Sequence, residues 1–307
     1  MALDPALERF AQKIVTFFPK PIPELAPQEF RSIVEMAAKR SNPFHPPGVS
    51  AEDLTANLPG AAIAVRIYRP QGDRPHSAIL WLHGGGFVAG SIVTHDPICA
   101  GICASASCSV IAANYRLAPE HPFPAAQDDA VGLLRWAVSQ ASALGIDPER
   151  LAVGGDSAGA TLALGAAQRI AGVPRLRLLA LAYPVTDGDS TRQSYGDTAG
   201  SAYLSRAMME YFLRHYLPDG ALTAAGALPL RSGKFEGLPP TFVITAGHDP
   251  LHDEGVALVE RIRAASVAVD HRDAKTMPHE FLRYRSLSRV AEAEFQAMCG
   301  AIGEALR

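Results

Sequence analysis

The chain has 307 residues, of which 48% are hydrophobic and 19% are charged, and its formal net charge is −3 at pH 7. A chain of this length and hydrophobicity can bury a large core as one domain plus a lid. The small negative charge, without a dense run of Lys and Arg, gives no electrostatic reason to bind nucleic acid or an anionic membrane. We therefore expect chemistry on a small molecule.

The sequence favours a cytoplasmic protein. Its first 20 residues mix charged and apolar side chains at helical spacing, unlike the continuous apolar segment of a secretory signal. No apolar run approaches the ~20 residues that a membrane helix needs. The four cysteines lie in apolar segments without the spacing of a zinc or redox site, so we expect buried free thiols.

The chain begins with a predicted helical arm. Apolar residues recur at helical spacing over the first 20 residues, and a second helix is predicted near residues 30–38. A proline-rich link then leads to residue 47. Residues 62–68 alternate in strand fashion, and residues 76–82 form a second predicted strand that leads into three consecutive glycines.

Predicted helices and strands alternate after this point. They are a helix at 96–106, a strand at 109–114, a helix at 125–143, a strand at 151–154, a helix up to 170 and a strand at 177–183. Such alternation predicts a parallel sheet with helices on both faces. It stops between 187 and 239, where we expect an inserted lid with a helix at 205–216. It resumes with a strand at 241–246, a helix at 252–265, a strand at 267–271 and a final helix at 288–306.

The most informative motif is GDSAG at 155–159, in which Ser157 stands between two glycines. It follows a short apolar strand and precedes a helix rich in small residues, which is the context of a nucleophile elbow. A serine on so sharp a turn adopts strained backbone, and side chains two residues away on either side would collide. Glycine on both flanks removes that collision. The alternative is that the serine only caps the helix.

A nucleophilic serine needs a base, a carboxylate that orients the base, and donors for the oxyanion. His279 is the candidate base, because it follows the last predicted strand. Asp249 is the candidate orienter, because it follows the strand at 241–246, although an aspartate before proline is also a common helix-start residue. The order Ser157, Asp249, His279 is that of α/β-hydrolases.

Main-chain donors for an oxyanion are available in two places. One is the N–H of Ala158, which follows the serine, and the other is the run Gly84, Gly85 and Gly86 after the strand at 76–82. A triple glycine also fits a flexible turn. Its position directly after a buried strand favours an oxyanion loop.

The sequence also contains an alternative to this arrangement, a metal site. His248 and His252 lie four residues apart at the start of a helix, beside Asp249 and Asp253. Asp249 cannot easily serve both a metal and His279. We therefore expect no metal here.

In these motifs the chain resembles the hormone-sensitive lipase family of α/β-hydrolase esterases, in its bacterial GDSAG branch. The resemblance is carried by HGGGF at 83–87, YRLAPE at 115–120, GDSAG at 155–159, YP at 183–184, and DPL at 249–251 followed by DEG at 253–255. It covers the chain from about residue 79 to the C-terminus in motifs and the whole chain in layout.

The resemblance implies a role for each candidate residue. Ser157 would be the nucleophile, His279 the general base and then acid, and Asp249 its orienter. The oxyanion donors would be Gly85, Gly86 and Ala158, with Gly84 supporting the loop. Structural roles in loops and turns are expected for His83, Asp156, Arg116 and Glu120.

The resemblance also implies the α/β-hydrolase fold, a mostly parallel central sheet flanked by helices and covered by a helical cap. Residues 1–47 would form an N-terminal cap arm and residues 188–238 a cap insertion. The core would consist of residues 48–187 and 239–307. The cap would shape the pockets for the acyl and alcohol parts of the substrate.

The chain departs from the family pattern at two positions. The family usually has glycine after the catalytic histidine, and this chain has Glu280. A side chain that pointed inward could raise the pKa of His279 or block the alcohol side of the site, whereas one that pointed to solvent would change little. The other departure is Ala160, where the family often has glycine, and the helix should tolerate it well.

We therefore expect a serine carboxylesterase that hydrolyses small, fairly apolar esters of short to medium acyl chains through an acyl-enzyme, with no cofactor. The alternatives are acyl transfer or amide hydrolysis by the same triad, and an inactive ligand-binding protein on this fold. The resemblance is also compatible with a homodimer.

Overall fold

A computed structural model describes residues 1–40, 45–170, 176–197, 200–217, 222, 224 and 226–307. Its α-helices are α1 Pro5–Phe17, α2 Pro27–Arg40, α3 Ile92–Ala106, α4 Ala125–Ser139, α5 Ala141–Leu144, α6 Ala158–Arg169, α7 Arg206–Tyr216, α8 Pro229–Ser232, α9 His252–Ala264 and α10 Arg289–Ala305. Its strands are β1 Ser50–Leu58, β2 Ala61–Arg69, β3 His76–Leu82, β4 Ser109–Ala113, β5 Ile146–Asp156, β6 Leu179–Ala182, β7 Thr241–His248 and β8 Val269–Pro278.

The strands form one eight-stranded sheet in the order β1-β2-β4-β3-β5-β6-β7-β8. From β4 to β8 all neighbours are parallel, and β2 pairs antiparallel with both β1 and β4. The central strands read as continuous apolar runs because helices cover both faces of a parallel sheet. This is the mostly parallel α/β architecture that the sequence predicted.

The sheet separates two hydrophobic layers. In β3, Leu80 and Leu82 face one layer, and Ile79 and Trp81 face the other, because successive side chains of a strand point to opposite faces. The first layer contains residues of α4, α6 and α9, and the second contains residues of α1, α3 and α10.

Two edge strands differ from the sequence prediction. Strand β1 was not predicted, because Ser50–Leu58 is mostly polar and only Ala56 within it is fully buried. Strand β8 continues to Pro278, well past the predicted end at residue 271, because an edge strand can carry exposed charged residues. As a result His279 directly follows a strand.

Two helices also differ in their limits. The predicted helix at 125–143 is two helices, which meet at Gln140. Helix α3 begins at Ile92, four residues before the predicted start, because Ser91 and Thr94 form a capping box there. Pro97 lies within this helix rather than at its first turn.

Helix α7 packs against the N-terminal helices. The Tyr211 hydroxyl donates to the Leu25 carbonyl at 3.1 Å, and the rings of Phe30 and Phe212 lie 5.8 Å apart. These contacts join the predicted cap arm to the predicted cap insertion, in which residues 198–199, 218–221, 223 and 225 lie outside the described residues. That the two segments form one cap stays a prediction.

The carboxyl ends of four parallel strands, β3, β5, β7 and β8, lie at the same edge of the sheet. Each is followed directly by a residue singled out from the sequence, namely His83, Ser157, Asp249 and His279. Parallel sheets bring ligand-binding groups together at this edge. None of the helices in the described part of the chain has the length and apolar content needed to span a bilayer.

Candidate active site

Ser157 lies on a strained turn between β5 and α6. Its φ is 52° and its ψ is −121°, a conformation that side-chain-bearing residues rarely adopt. A Cβ added to Gly155 would lie 2.5 Å from the backbone of Gly159, and one added to Gly159 would lie 2.0 Å from the Leu82 carbonyl oxygen. The predicted collision at both glycines is confirmed.

Ser157, His279 and Asp249 are hydrogen-bonded in series. The His279 Nε2 atom lies 2.9 Å from Ser157 Oγ, and His279 Nδ1 lies 2.6 Å from Asp249 Oδ2. All three residues are buried. An ionised carboxylate can only accept, so Nδ1 carries the proton and Nε2 is left to accept from the Ser157 hydroxyl. The structure thus brings together the three residues that the sequence analysis selected.

Asp249 is itself held in place by the start of α9. Its Oδ1 atom accepts a hydrogen bond from the Leu251 N–H at 2.9 Å, while Oδ2 contacts His279. The helix-start role and the contact with the imidazole were alternatives at the sequence level. One carboxylate fulfils both, because its two oxygens face different partners.

The surroundings of His279 favour its charged form. Burial lowers the pKa of a histidine, but the charge and hydrogen bond of Asp249 outweigh it, with smaller contributions from Glu280 and Asp156. The pKa of His279 is therefore raised above its usual value of about 6.5. A base with such a pKa accepts a proton readily near neutral pH.

Two of the three glycines after β3 have backbone that other residues adopt poorly. Gly85 has φ +124° and Gly86 has φ +62°. A Cβ on Gly85 would lie 2.2 Å from the Ala89 carbonyl oxygen, and one on Gly84 would lie 2.6 Å from Asp156 Oδ2. The segment therefore approaches its neighbours more closely than a side chain would allow.

The buried carboxylate of Asp156 lies beside the glycine segment and supports it. Asp156 accepts a hydrogen bond from Trp81 Nε1 at 3.2 Å, and its Oδ2 atom lies 3.1 Å from His95 Nε2. The Gly84 nitrogen lies 3.2 Å from the same His95 nitrogen, which can donate to Asp156 or accept from Gly84 but cannot do both at once. Burial raises the pKa of a carboxyl group, but the charge of the His95 ring and its hydrogen bond reverse this, and the pKa of Asp156 is lowered.

The contacts of four residues agree with the structural roles predicted for them, namely His83, Asp156, Arg116 and Glu120. The carbonyl of His83 accepts from the Tyr115 hydroxyl at 2.7 Å, and the Arg116 guanidinium pairs with the buried Asp129. Sequence reasoning missed His95, because nothing in its own neighbourhood indicates that it meets a residue 61 positions away.

The predicted lid helix reaches the glycine segment through Phe212. A Cβ on Gly86 would lie 2.3 Å from the Phe212 ring, so the ring packs directly on this glycine. Phe212 also contacts Phe30, which in turn lies 5.9 Å from Phe18 between ring centres. Phe17, by contrast, is 53% exposed.

The two histidines of the alternative metal site have separate partners. His248 Nδ1 lies 2.7 Å from Asp197 Oδ2, and the ring nitrogens of His252 lie 3.3 Å from Asp253 and 3.2 Å from Asp273. Within the ranges that the structure describes, no three His, Cys, Asp or Glu residues are grouped as metal ligands.

Burial raises the pKa of all four cysteine thiols, which keeps them protonated.

Comparison with known proteins decides the family. The family model of the α/β-hydrolase fold matches residues 79–283. The chain is 41% identical over 244 residues to ethyl acetate hydrolase from Pseudomonas putida, covering 76% of each chain. It is 37% identical over 246 residues to carboxylesterase NlhH from Mycobacterium tuberculosis, covering 78% of this chain and 77% of the other.

The chain therefore belongs to the hormone-sensitive lipase-like family of α/β-hydrolase esterases. It is a carboxylic ester hydrolase. Solved structures agree. An esterase from Pyrobaculum calidifontis has a TM-score of 0.89 at 30% identity and covers 99% of this chain and 100% of that one. A thermostable esterase from Pseudomonas putida has a TM-score of 0.92 at 28% identity and covers 100% of this chain and 98% of that one.

Glu280, one of the two departures from the family pattern, explains the usual glycine at its position. Its φ is 57°, in the left-handed region that favours glycine. The side chain is 21% exposed and pairs with Arg283 at 3.1 Å, so it neither extends into solvent nor lies free beside the imidazole. Its charge nevertheless helps to raise the pKa of His279.

The other departure, Ala160, lies fully buried in the first turn of α6. Alanine forms helices better than glycine by about 1 kcal/mol. The esterase accommodates its methyl group within the core layer that contains α6.

Proposed function

We propose that this esterase uses Ser157 as its nucleophile, His279 as its general base and acid, and Asp249 as the residue that orients His279. The observation that carries the proposal is the continuous hydrogen-bonded series Ser157–His279–Asp249 at the ends of three parallel strands. Every member has the partner that the mechanism requires.

In the proposed first step, Ser157 Oγ attacks the ester carbonyl while His279 Nε2 takes its proton. The imidazolium then returns that proton to the leaving alcohol, which leaves an acyl-enzyme on Ser157. Water enters by the same route and releases the acid. Asp249 stabilises the imidazolium without becoming protonated.

We further propose that the oxyanion is stabilised by the N–H groups of Gly85, Gly86 and Ala158. Ala158 begins α6, where the helix N-terminus adds a favourable dipole. Gly84 supports the loop instead, since its N–H faces the buried His95 ring, 3.2 Å from Nε2. One well-placed donor is worth ~3 kcal/mol in this kind of site.

The substrate that we propose is a small, fairly apolar ester with a short to medium acyl chain. Support comes from Phe212, which packs on Gly86 and so places an apolar wall beside the proposed oxyanion donors. Phe30 backs this wall. A bulky aromatic boundary at this position leaves less room for a long acyl chain.

The proposed nucleophile is tested by hydrolysis of p-nitrophenyl esters of increasing acyl length by the wild type and Ser157→Ala. We expect the mutant to lose roughly 10⁴-fold or more in kcat, since removal of the nucleophile disables the whole triad. Ser139→Ala is the matched control, because Ser139 is exposed at the end of α4. An activity peak at a short or medium chain is the expected profile.

The same assay separates the competing proposals. Undiminished hydrolysis by Ser157→Ala would contradict the nucleophile assignment, and comparable turnover of long-chain triglyceride emulsions would contradict the substrate class. Faster product release on addition of alcohols or amines, with transfer of the acyl group to them, would favour acyl transfer over hydrolysis.

Two further expectations concern the oligomeric state and the cellular location of the enzyme. A homodimer and a cytoplasmic location are both proposed from the sequence and the family resemblance. Light scattering coupled to size-exclusion chromatography tests the first, and fractionation of the source cells tests the second. A monomeric mass, or activity confined to the secreted or membrane fraction, would contradict them.

A further inference from the structure

Arg31 links helix α2 of the N-terminal arm to the segment that contains the three glycines. Its Nε atom donates to the Val88 carbonyl at 2.6 Å, and one terminal nitrogen donates to the Ala118 carbonyl at 2.6 Å. Both terminal nitrogens also donate to the Glu120 carboxylate, at 2.9 and 2.6 Å. One guanidinium thus joins three separate parts of the chain.

Both carbonyls that Arg31 contacts belong to residues that are hydrogen-bonded to the glycine segment or to Phe87 beside it. The Val88 N–H donates to the Gly85 carbonyl, and the Ala118 N–H donates to the Phe87 carbonyl at 2.9 Å. Arg31 therefore contacts residues that are one hydrogen bond away from Gly85 and Phe87. The contact runs behind the proposed oxyanion donors and not through the triad.

The backbone at this point needs an external restraint. Gly85, Gly86 and Phe87 all have positive φ, and Phe87 does so with a full side chain at φ 63°. Such conformations cost about 1–3 kcal/mol each for a residue other than glycine and persist only where surrounding contacts fix them. Arg31 restrains this segment indirectly, by fixing the Val88 and Ala118 carbonyls whose residues hydrogen-bond to Gly85 and Phe87.

We propose that Arg31 is a positioning residue that fixes the proposed oxyanion loop from the arm side. The inference rests on the proposed function, since it assumes that Gly85 and Gly86 donate to the oxyanion. Only an arginine has donors arranged to reach two carbonyls and a carboxylate at once, and a lysine would act as a single point charge. Glu120 completes the arrangement by holding the other edge of the guanidinium.

The charge state of the pair agrees with this role. The hydrogen bond from Arg31 lowers the pKa of Glu120 to about 2, so the carboxylate is ionised throughout the working range of an esterase. The side chains of Arg31 and Glu120 are 25% and 41% exposed. We therefore expect the effect on catalysis to come from geometry rather than from a large contribution of the ion pair to stability.

The test compares Arg31→Ala, Arg31→Lys and the control Lys20→Ala on p-nitrophenyl butyrate. Lys20 lies in the same arm and pairs with Glu29 on the surface at 3.5 Å, so its loss removes a charge without touching the loop. We expect Arg31→Ala to lower kcat by ~10- to 100-fold with KM nearly unchanged, because misplaced donors weaken only the transition state. Arg31→Lys should recover only part of the loss.

Two measurements separate positioning from a general loss of structure. The first is inhibition by an aryl trifluoromethyl ketone, whose carbonyl carbon accepts Ser157 Oγ while His279 takes the proton, which leaves an oxyanion. Its inhibition constant should rise in Arg31→Ala by the same factor as kcat/KM falls. The second is restoration of Arg31→Ala activity by free guanidinium at concentrations far below those that unfold the protein, with tetramethylammonium as the control.

Each outcome has a distinct meaning. If Ser157→Ala is inactive but Arg31→Ala keeps the wild-type kcat and ketone affinity, the inference on Arg31 is wrong and the proposed function stands. A rise in KM at constant kcat would also contradict the inference, because it would assign Arg31 to substrate binding. If Ser157→Ala retains wild-type activity, the proposed function fails and the inference fails with it.

Discussion

Two buried carboxylates at the same edge of the sheet, Asp249 and Asp156, each lie beside a histidine ring. Asp249 lies 2.6 Å from His279 Nδ1, and Asp156 lies 3.1 Å from His95 Nε2. The two pairs are similar in composition and burial. They differ in the partner of the imidazole nitrogen that does not contact the carboxylate, which we call the outer nitrogen.

In the first pair, the outer nitrogen of His279 faces the Ser157 hydroxyl, whose proton can be transferred. In the second, the nitrogen of His95 that does not contact Asp156 lies 2.8 Å from the Thr94 hydroxyl, which donates its proton to the Ser91 carbonyl at 2.9 Å. The Thr94 hydroxyl proton is therefore engaged by the backbone at the start of α3 and is not offered to the ring. The partner of the outer nitrogen, rather than the carboxylate–imidazole pair itself, therefore distinguishes the pair to which we assign proton transfer from the pair to which we assign support.

The largest expected contrast comes from changing each carboxylate to its amide. We expect Asp249→Asn to lower kcat by ~10⁴-fold, because an amide at this position favours the wrong tautomer of His279. Asp156→Asn should lower kcat by ~10-fold or less, because its amide oxygen can still accept from Trp81 Nε1. Steady-state kinetics of both variants on one p-nitrophenyl ester measures the contrast.

Thermal unfolding of the same two variants completes this test. Both must unfold cooperatively, so that a loss of activity is not a loss of folded protein. Equal losses of kcat in the two variants would break the distinction between the pairs. A larger loss in Asp156→Asn would reverse it.

A smaller effect is expected at the contact between Gly84 and Asp156. In Gly84→Ala the new methyl group would lie 2.6 Å from Asp156 Oδ2, so either the carboxylate or the loop must shift. We expect kcat to fall by ~10- to 100-fold without a change in the pH dependence, since the proposed proton-transfer pair, Ser157 and His279, is untouched. Gly60→Ala is the control, because a Cβ there has open space around it, although its positive φ adds local strain.

This prediction fails in two recognisable ways. Wild-type kcat in Gly84→Ala would show that the loop tolerates the shift. A moved pH profile would show that the two carboxylate–histidine pairs are coupled.

The smallest effect is expected from Glu280. With the neutral imidazole of His279 as the proposed base, we expect kcat/KM to fall as pH drops through the pKa of His279, which lies above its usual 6.5. Glu280 stabilises the charged imidazole, and its removal in Glu280→Gln should lower that pKa and move the acid limb of the profile to lower pH by less than one unit. The profile of kcat/KM against pH measures it.

The control for this shift is Glu304→Gln, an exposed glutamate near the C-terminus. It removes the same charge far from the site and should leave the acid limb in place. An unmoved limb in Glu280→Gln, or a shift to higher pH, would contradict the electrostatic role of Glu280.

The sequence could predict the groups whose positions follow from chain-local rules. Ser157 lies between two glycines on a strand-to-helix turn, and Asp249 and His279 each follow a strand end. These residues then come together at the common edge of the parallel sheet, because strand ends meet there whatever the length of chain between them. This is why three residues spread over 123 positions could be selected without a structure.

The supporting contacts could not be predicted in the same way. Arg31 and Glu120 lie 89 positions apart, and neither follows a strand or belongs to a spacing rule with the other. Strand β1 was missed because an exposed edge strand lacks the apolar alternation that identifies strands. Such features depend on how surfaces meet in three dimensions, and a local pattern does not carry that information.

Ser157 is the residue that we propose becomes acylated. The most direct test is reaction of the wild type with a fluorophosphonate probe, followed by peptide mass mapping of the labelled site. We predict one label per chain on Ser157, labelling that is strongly slowed in Asp249→Asn, and ester hydrolysis that declines in step with labelling. Labelling at a different residue, or full hydrolysis by a chain in which Ser157 is labelled, would contradict the claim.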